Sequence, residues 1–200
     1  MNRKFIGLLI IGVMLLCVSD NIWAASSLGA GTPTIYKTAL ARFEISNDGG
    51  ATYITLFNGL SDYMDIASVN AGQAAGNFFA GLSIPDGTYT HVRVTPSGNF
   101  KMRGTVSIGG TVYYTKSDGT HSTSSADLAE ATITVPVTLT ANVQALSTPI
   151  TVKNGVPNHK VRVSFNVSNT LELWDTTGPI PDNLPDQFYP AAPTVTMEIK

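Results

Sequence analysis

Residues 131–140 read Ala-Thr-Ile-Thr-Val-Pro-Val-Thr-Leu-Thr. Ile133, Val135, Val137 and Leu139 fall on one side of an extended chain, and Thr132, Thr134, Pro136, Thr138 and Thr140 on the other. Apolar residues at every second position, separated by β-branched threonines, describe a strand with one buried and one wet face. Pro136 has no N–H to give to a ladder, which predicts a sheet edge or a bulge here. The pattern returns at 160–167, with Val161, Val163, Phe165 and Val167 inward and Lys160, Arg162 and Ser164 outward. Leu171 and Leu173 continue it, and Val195, Met197 and Ile199 mark a last strand.

Turn residues separate further strands on both sides of these. Gly109-Gly110 stands between Thr105–Ile108 and Thr111–Tyr114, and two glycines accept the positive φ of a primed hairpin turn. Asn47-Asp48-Gly49-Gly50 divides a strand carrying Ala41, Phe43 and Ile45 from one over Ala51–Phe57, and Asp86-Gly87 precedes a strand over Thr88–Val94. Short strands at such spacing predict an all-β fold in a single domain, an antiparallel β-sandwich or barrel. Asp118–Glu130, with Ser122, Thr123, Ser124 and Ser125, reads as a mobile loop. Asp175–Pro193 holds Pro179, Pro181, Pro185, Pro190 and Pro193, and reads as a binding loop or the cover of a sheet edge.

The chain has 200 residues, 13% of them charged and 43% hydrophobic, which suits one folded domain and excludes a solvated disordered tail. A net charge of −2 offers no broad basic surface, so nucleic acid is not an expected partner. Arg3 and Lys4 precede the uncharged run Phe5–Val18, and Ala24 and Ala25 follow. A positive start, a short apolar run and a small residue at the end spell a secretory signal peptide over 1–24, cut after Ala24. The run is too short for a membrane span, which takes about 20 apolar residues. Export to the periplasm or cell surface follows as the expectation. The single cysteine, Cys17, leaves with the signal, so no disulfide holds the mature chain. Residues 25–38 read as an extended, weakly attached arm, and 39–200 as the sandwich.

Several phrases carry a resemblance. Tyr63-Met64-Asp65-Ile66-Ala67, the stretch Ile84-Pro85-Asp86-Gly87-Thr88-Tyr89 running on to Val94, Val163–Val167 and Tyr189-Pro190-Ala191-Ala192-Pro193 occur in this order. Together they resemble a secreted prokaryotic β-sandwich family known only as a domain of unknown function. The resemblance implies an immunoglobulin-like or prealbumin-like sandwich, often at the outer face of a membrane, and brings no established catalytic residues. The family's lipid-attachment cysteine and its opening aspartate-alanine-proline strand have no counterpart here.

Chemistry-bearing residues are sparse. His91, His121 and His159 are dispersed, and no spaced metal-ligand motif surrounds them. Tyr89, His91 and Arg93 share one face of a predicted strand, a ridge suited to an anion or a sugar. Asp175, Asp182 and Asp186 supply hard oxygens that suit calcium, although their spacing matches no calcium loop and aspartates also cap turns. Aromatic residues are the better clue. Trp174 points outward if the alternation of Leu171 and Leu173 persists, Phe188 and Tyr189 close the same loop, and Tyr113 and Tyr114 follow the Gly109-Gly110 turn. Aromatic faces stack on sugar rings and anchor protein interfaces.

Three readings follow. The first is a non-catalytic extracytoplasmic recognition module for a carbohydrate or protein partner, using Trp174, Phe188, Tyr189, Tyr113 and Tyr114. The second is a surface-polymer subunit that self-associates by strand addition through the 25–38 arm. The third is a hydrolase dependent on His91 or Asp175.

Overall fold

The computed structural model describes residues 25–68, 83–135, 139, 141–159, 161–176 and 182–199. The expected signal peptide, Cys17, Pro136 and Pro179–Pro181 lie outside the described residues. The protein is all-β, built from several antiparallel sheets and consistent with a β-sandwich. Among the described residues the one helical turn is 3-10, at Ser125–Asp127, and no helix is long and apolar enough to cross a membrane.

Three sheets surround one core. A three-stranded sheet sets β1 (Ser26–Gly31) beside β15 (Leu171–Asp175) and β15 beside β16 (Gln187–Pro190). A four-stranded sheet runs β11 (Ala131–Thr134), β7 (Asn99–Arg103), β2 (Ile35–Thr38), β5 (Met64–Asp65). A hairpin sheet joins β8 (Thr105–Ile108), β9 (Thr111–Thr115) and β10 (His121–Ser122). Leu171, Leu173 and Phe188 from the first, Tyr36, Phe100, Met102, Ala131 and Ile133 from the second, and Val106 from the third form the core between them. Full burial of each large apolar side chain contributes about 1.5–3 kcal/mol. The Tyr36 hydroxyl crosses the layers to donate to the Ala191 carbonyl at 3.1 Å, and burial pushes its phenol far above the ordinary tyrosine range.

A second core lies under the five-stranded sheet of β13 (Val156–Pro157), β12 (Asn142–Lys153), β6 (Gly87–Pro96), β3 (Leu40–Ser46) and β4 (Ile54–Asn58). Phe43, Ile45, Tyr89, Val92, Leu146 and Val152 fill it. The β12–β6 pairing slips between Ala145 and Ile150, around Pro149, whose missing N–H is accommodated by the irregularity. Finally β14 (Val161–Asn166) pairs with β17 (Thr194–Ile199), and Ile199 reaches the second core.

Of the alternating stretch 131–140, Ala131–Thr134 form β11, an edge strand with Ala131 and Ile133 fully buried, while 136–138 and 140 lie outside the described residues. Gly109 and Gly110 take φ of +57° and +86° in the expected hairpin turn. Two expectations need correction. Residues 25–38 are not a loose arm, because β1 pairs with β15 and β2 with β7 inside the same chain. The Ser-rich stretch is ordered too: Thr115 donates its hydroxyl to the Ala129 carbonyl at 2.7 Å, and the Ser122 hydroxyl donates to the Asp127 carboxylate at 2.6 Å.

Candidate functional site

Strand β15 reads Leu-Glu-Leu-Trp-Asp, and its alternation puts Leu171, Leu173 and Asp175 inside and Glu172 and Trp174 outside, half-buried. On β16, Phe188 and Pro190 turn in while Gln187 and Tyr189 stay half-buried. The register sets Glu172 opposite Tyr189 and Trp174 opposite Gln187. Cross-strand and diagonal neighbours on one face lie within reach of aromatic and long side chains. Trp174 and Tyr189 accordingly meet edge to face, with ring centres 5.8 Å apart and planes at 62°. The indole N–H of Trp174 donates to the Glu172 carboxylate at 2.8 Å, which fixes the ring's orientation. On the other flank, β1 sets exposed Ser27 opposite Trp174 and exposed Ala30 opposite Glu172, side chains too small to cover an indole. Burial raises the Tyr189 phenol above its ordinary value, so it remains a neutral hydroxyl.

The other predicted aromatics do not join this patch. Phe188 is fully buried in the first core, because its place in the β16 alternation is opposite to that of Gln187 and Tyr189, so it lies away from this patch. Tyr113 packs partly against the same core and meets the His121 ring edge to face at 5.2 Å. Tyr114, one residue on, belongs to the other side of the hairpin, opposite Thr105 and Ser122. The hairpin's end does abut β16: Thr120 bridges to Gln187, and Phe188 N–H donates to the Gly119 carbonyl at 3.2 Å.

Each of the three aspartates accepts a hydrogen bond from a backbone N–H. Asp175, fully buried, accepts from Asn183 N–H at 2.7 Å. Asp186 accepts from the N–H and hydroxyl of Thr176 at 2.7 and 3.1 Å, while Asp182 accepts from Leu184 N–H at 2.8 Å. Among the described residues no group of three or more His, Cys, Asp or Glu side chains is arranged to hold a metal ion. Among the described residues of the loop, the carboxylates give the backbone N–H groups of Thr176, Asn183 and Leu184 fixed acceptors.

A second polar cluster sits on the five-stranded sheet. Glu44, buried between Phe43 and Ile45, receives two hydrogen bonds from Arg93 and a third from the Thr55 hydroxyl at 3.2 Å. The Arg93 guanidinium lies 3.9 Å from the centre of the Tyr53 ring. Those Arg93 hydrogen bonds, opposed by burial, hold the Glu44 carboxyl below the usual glutamate range. The expected Tyr89-His91-Arg93 ridge is therefore split. Tyr89 is buried in the second core, donating to the Pro85 carbonyl at 2.7 Å, and Arg93 is committed to Glu44. Sequence reading missed Glu44, although its position between two inward-facing residues on a strand adjacent to Arg93 was the available signal.

Of these features, only the Trp174–Tyr189 patch combines flat apolar rings, a carboxylate and an amide on the outward side of a sheet. No family model, no curated protein and no solved structure matches this chain.

Proposed function

We propose that the protein is an exported, non-catalytic β-sandwich of immunoglobulin-like or prealbumin-like type that recognises a carbohydrate outside the cytoplasm. The observation that carries this reading is the pair Trp174–Tyr189, held at 5.8 Å on the outward side of β15 and β16 with Glu172 fixing the indole. Sugar rings present C–H faces that stack on aromatic planes, and their hydroxyls need hydrogen-bonding groups at the margin. Glu172 and Gln187 stand at that margin. The reading is non-catalytic because the neighbouring carboxylates, Asp175 and Asp186, hold loop amides and Glu44 is locked to Arg93.

The test is a glycan-array screen of the full chain and of Trp174→Ala, with thermal unfolding recorded for both. Binding by the parent, lost in the variant at an unchanged unfolding temperature, supports the reading. Equal binding by both proteins, or loss of the fold on removing Trp174, rejects it. Secretion is checked separately by mass spectrometry of the exported chain, which should begin at Ala25.

A further inference from the structure

The outward side of β15 and β16 carries one property that an aromatic sugar platform does not require. From Val163 to Ile199 the chain has Glu172, Asp175, Asp182, Asp186 and Glu198 but no lysine, arginine or histidine. The strand on the other flank, β1, has no charged residue at all. The whole three-stranded sheet is thus built without a cation of its own. Glu172 makes no ion pair among the described residues, and its hydrogen bond goes to the neutral indole of Trp174. A carboxylate with no counter-charge among the described residues, set beside two π-faces, attracts a cation by both Coulomb and cation–π terms. The other two clear cations-over-ring or carboxylate-pair arrangements behave differently. Arg93 already fills the space between Tyr53 and Glu44, and Lys101 lies over Tyr63 at 4.8 Å. At Trp174–Tyr189–Glu172 the aromatic and anionic groups are in place and no side chain of the described chain supplies the cation.

Building on the carbohydrate reading, we infer that this face takes a glycan bearing free ammonium groups, an amino sugar that is not N-acetylated. The ring stacks on Trp174, its ammonium lies toward the Glu172 carboxylate, and a hydroxyl meets the Gln187 amide. Gln187 has no side-chain hydrogen bond within the described chain, which leaves its amide open to such a group.

Calorimetric titration of the full chain with a glucosamine tetrasaccharide, its N-acetylated counterpart and a neutral glucose tetrasaccharide tests this. The cationic oligomer should bind about tenfold tighter than the other two, the factor expected from one exposed cation–π and carboxylate contact. Glu172→Gln should erase that preference while keeping the neutral binding, and added salt should weaken only the cationic oligomer. Trp174→Ala should abolish all three. Equal affinities for the three oligomers, with Trp174 still required, overturn the ammonium assignment and leave carbohydrate recognition standing. No binding of any oligomer, or a Trp174-dependent grip on a lysine peptide alone, overturns both. Salt dependence of the parent protein reads the charge even if Glu172→Gln fails to fold.

Discussion

Arg93 holds Glu44 by two parallel hydrogen bonds, Nε to Oε2 at 2.6 Å and Nη2 to Oε1 at 2.8 Å, from the residue directly opposite it on the neighbouring strand. Glu44 is almost wholly buried, so the guanidinium supplies both its counter-charge and its hydrogen bonds. Removing Arg93 as Arg93→Ala strands that carboxylate, whereas Glu44→Gln keeps an acceptor and loses only the charge. The urea midpoint should therefore fall further for Arg93→Ala than for Glu44→Gln. A reversed order would show that Glu44 is not satisfied through Arg93.

The same pair sets a pH dependence. The folded Glu44 carboxyl lies below its ordinary value, chiefly through the Arg93 hydrogen bonds, so the unfolded chain takes up this proton first. The contribution is complete above the ordinary glutamate range and drains away as pH falls through the lowered value. Between about pH 7 and about pH 3, the parent should lose more stability than Glu44→Gln. Parallel urea titrations of the two proteins check this, and equal losses would exclude Glu44 as the responsible group.

Trp174 and Phe188 separate binding from packing. Phe188→Ala empties a fully buried site and should cost about 3–5 kcal/mol, whereas Trp174→Ala removes a partly buried ring outside the core and should cost about 1–2 kcal/mol. Chemical denaturation of both variants reads the contrast. A large loss for Trp174→Ala would make its ring a structural cover.

The loop between β15 and β16 should be indifferent to calcium. Adding calcium or a chelator should leave the unfolding temperature unchanged, because the aspartate oxygens are engaged with backbone amides. Asp186→Ala releases the N–H and hydroxyl of Thr176 together and should lower stability by about 1–2 kcal/mol. A calcium-dependent rise in melting temperature would restore the metal reading.

Close packing of β1 gives a further test. A Cβ at Gly31 runs into the Thr105 carbonyl oxygen, and one at Gly104 comes within 2.8 Å of Leu171 Cδ2 and 2.9 Å of Pro33 Cα. Gly31→Ala should cost on the order of 2 kcal/mol and open β1 to protease before the rest of the chain. Hydrogen exchange at Ser26–Gly31 as slow in the variant as in the parent would contradict this.

Period-2 patterning and glycine turns were enough to read β11, the β8–β9 hairpin and the outward side of Trp174, because each depends on neighbours along the chain. The phase of Phe188 was not readable, since prolines break the alternation before it and its direction is set by pairing with Leu173. Nor was β1: Ser-Ser-Leu-Gly-Ala-Gly has little strand propensity, and only the backbone of β15 and the space beside Val106 and Ile108 make it a strand. The aspartates were legible as turn-forming residues, but which backbone N–H each one accepts from depends on the folded loop. Glu44 was hidden because charge at a buried position is visible only once its partner strand is known.

Ser26 lies opposite Asp175, so the first strand among the described residues finds its partner about 150 positions further along the sequence. β2 and β3, which follow β1 directly, pair with β7 and β6 instead, and so can assemble long before β15 exists. On this topology β1 should be the late-pairing strand, unpaired until β15 is in place. Such distant closure makes a slow final step, because loop entropy must be overcome before the contacts that repay it can form. The rate at which β1 is captured, more than the strength with which it is held, should determine how long a newly made molecule leaves the edge of β15 unpaired and open to its neighbours.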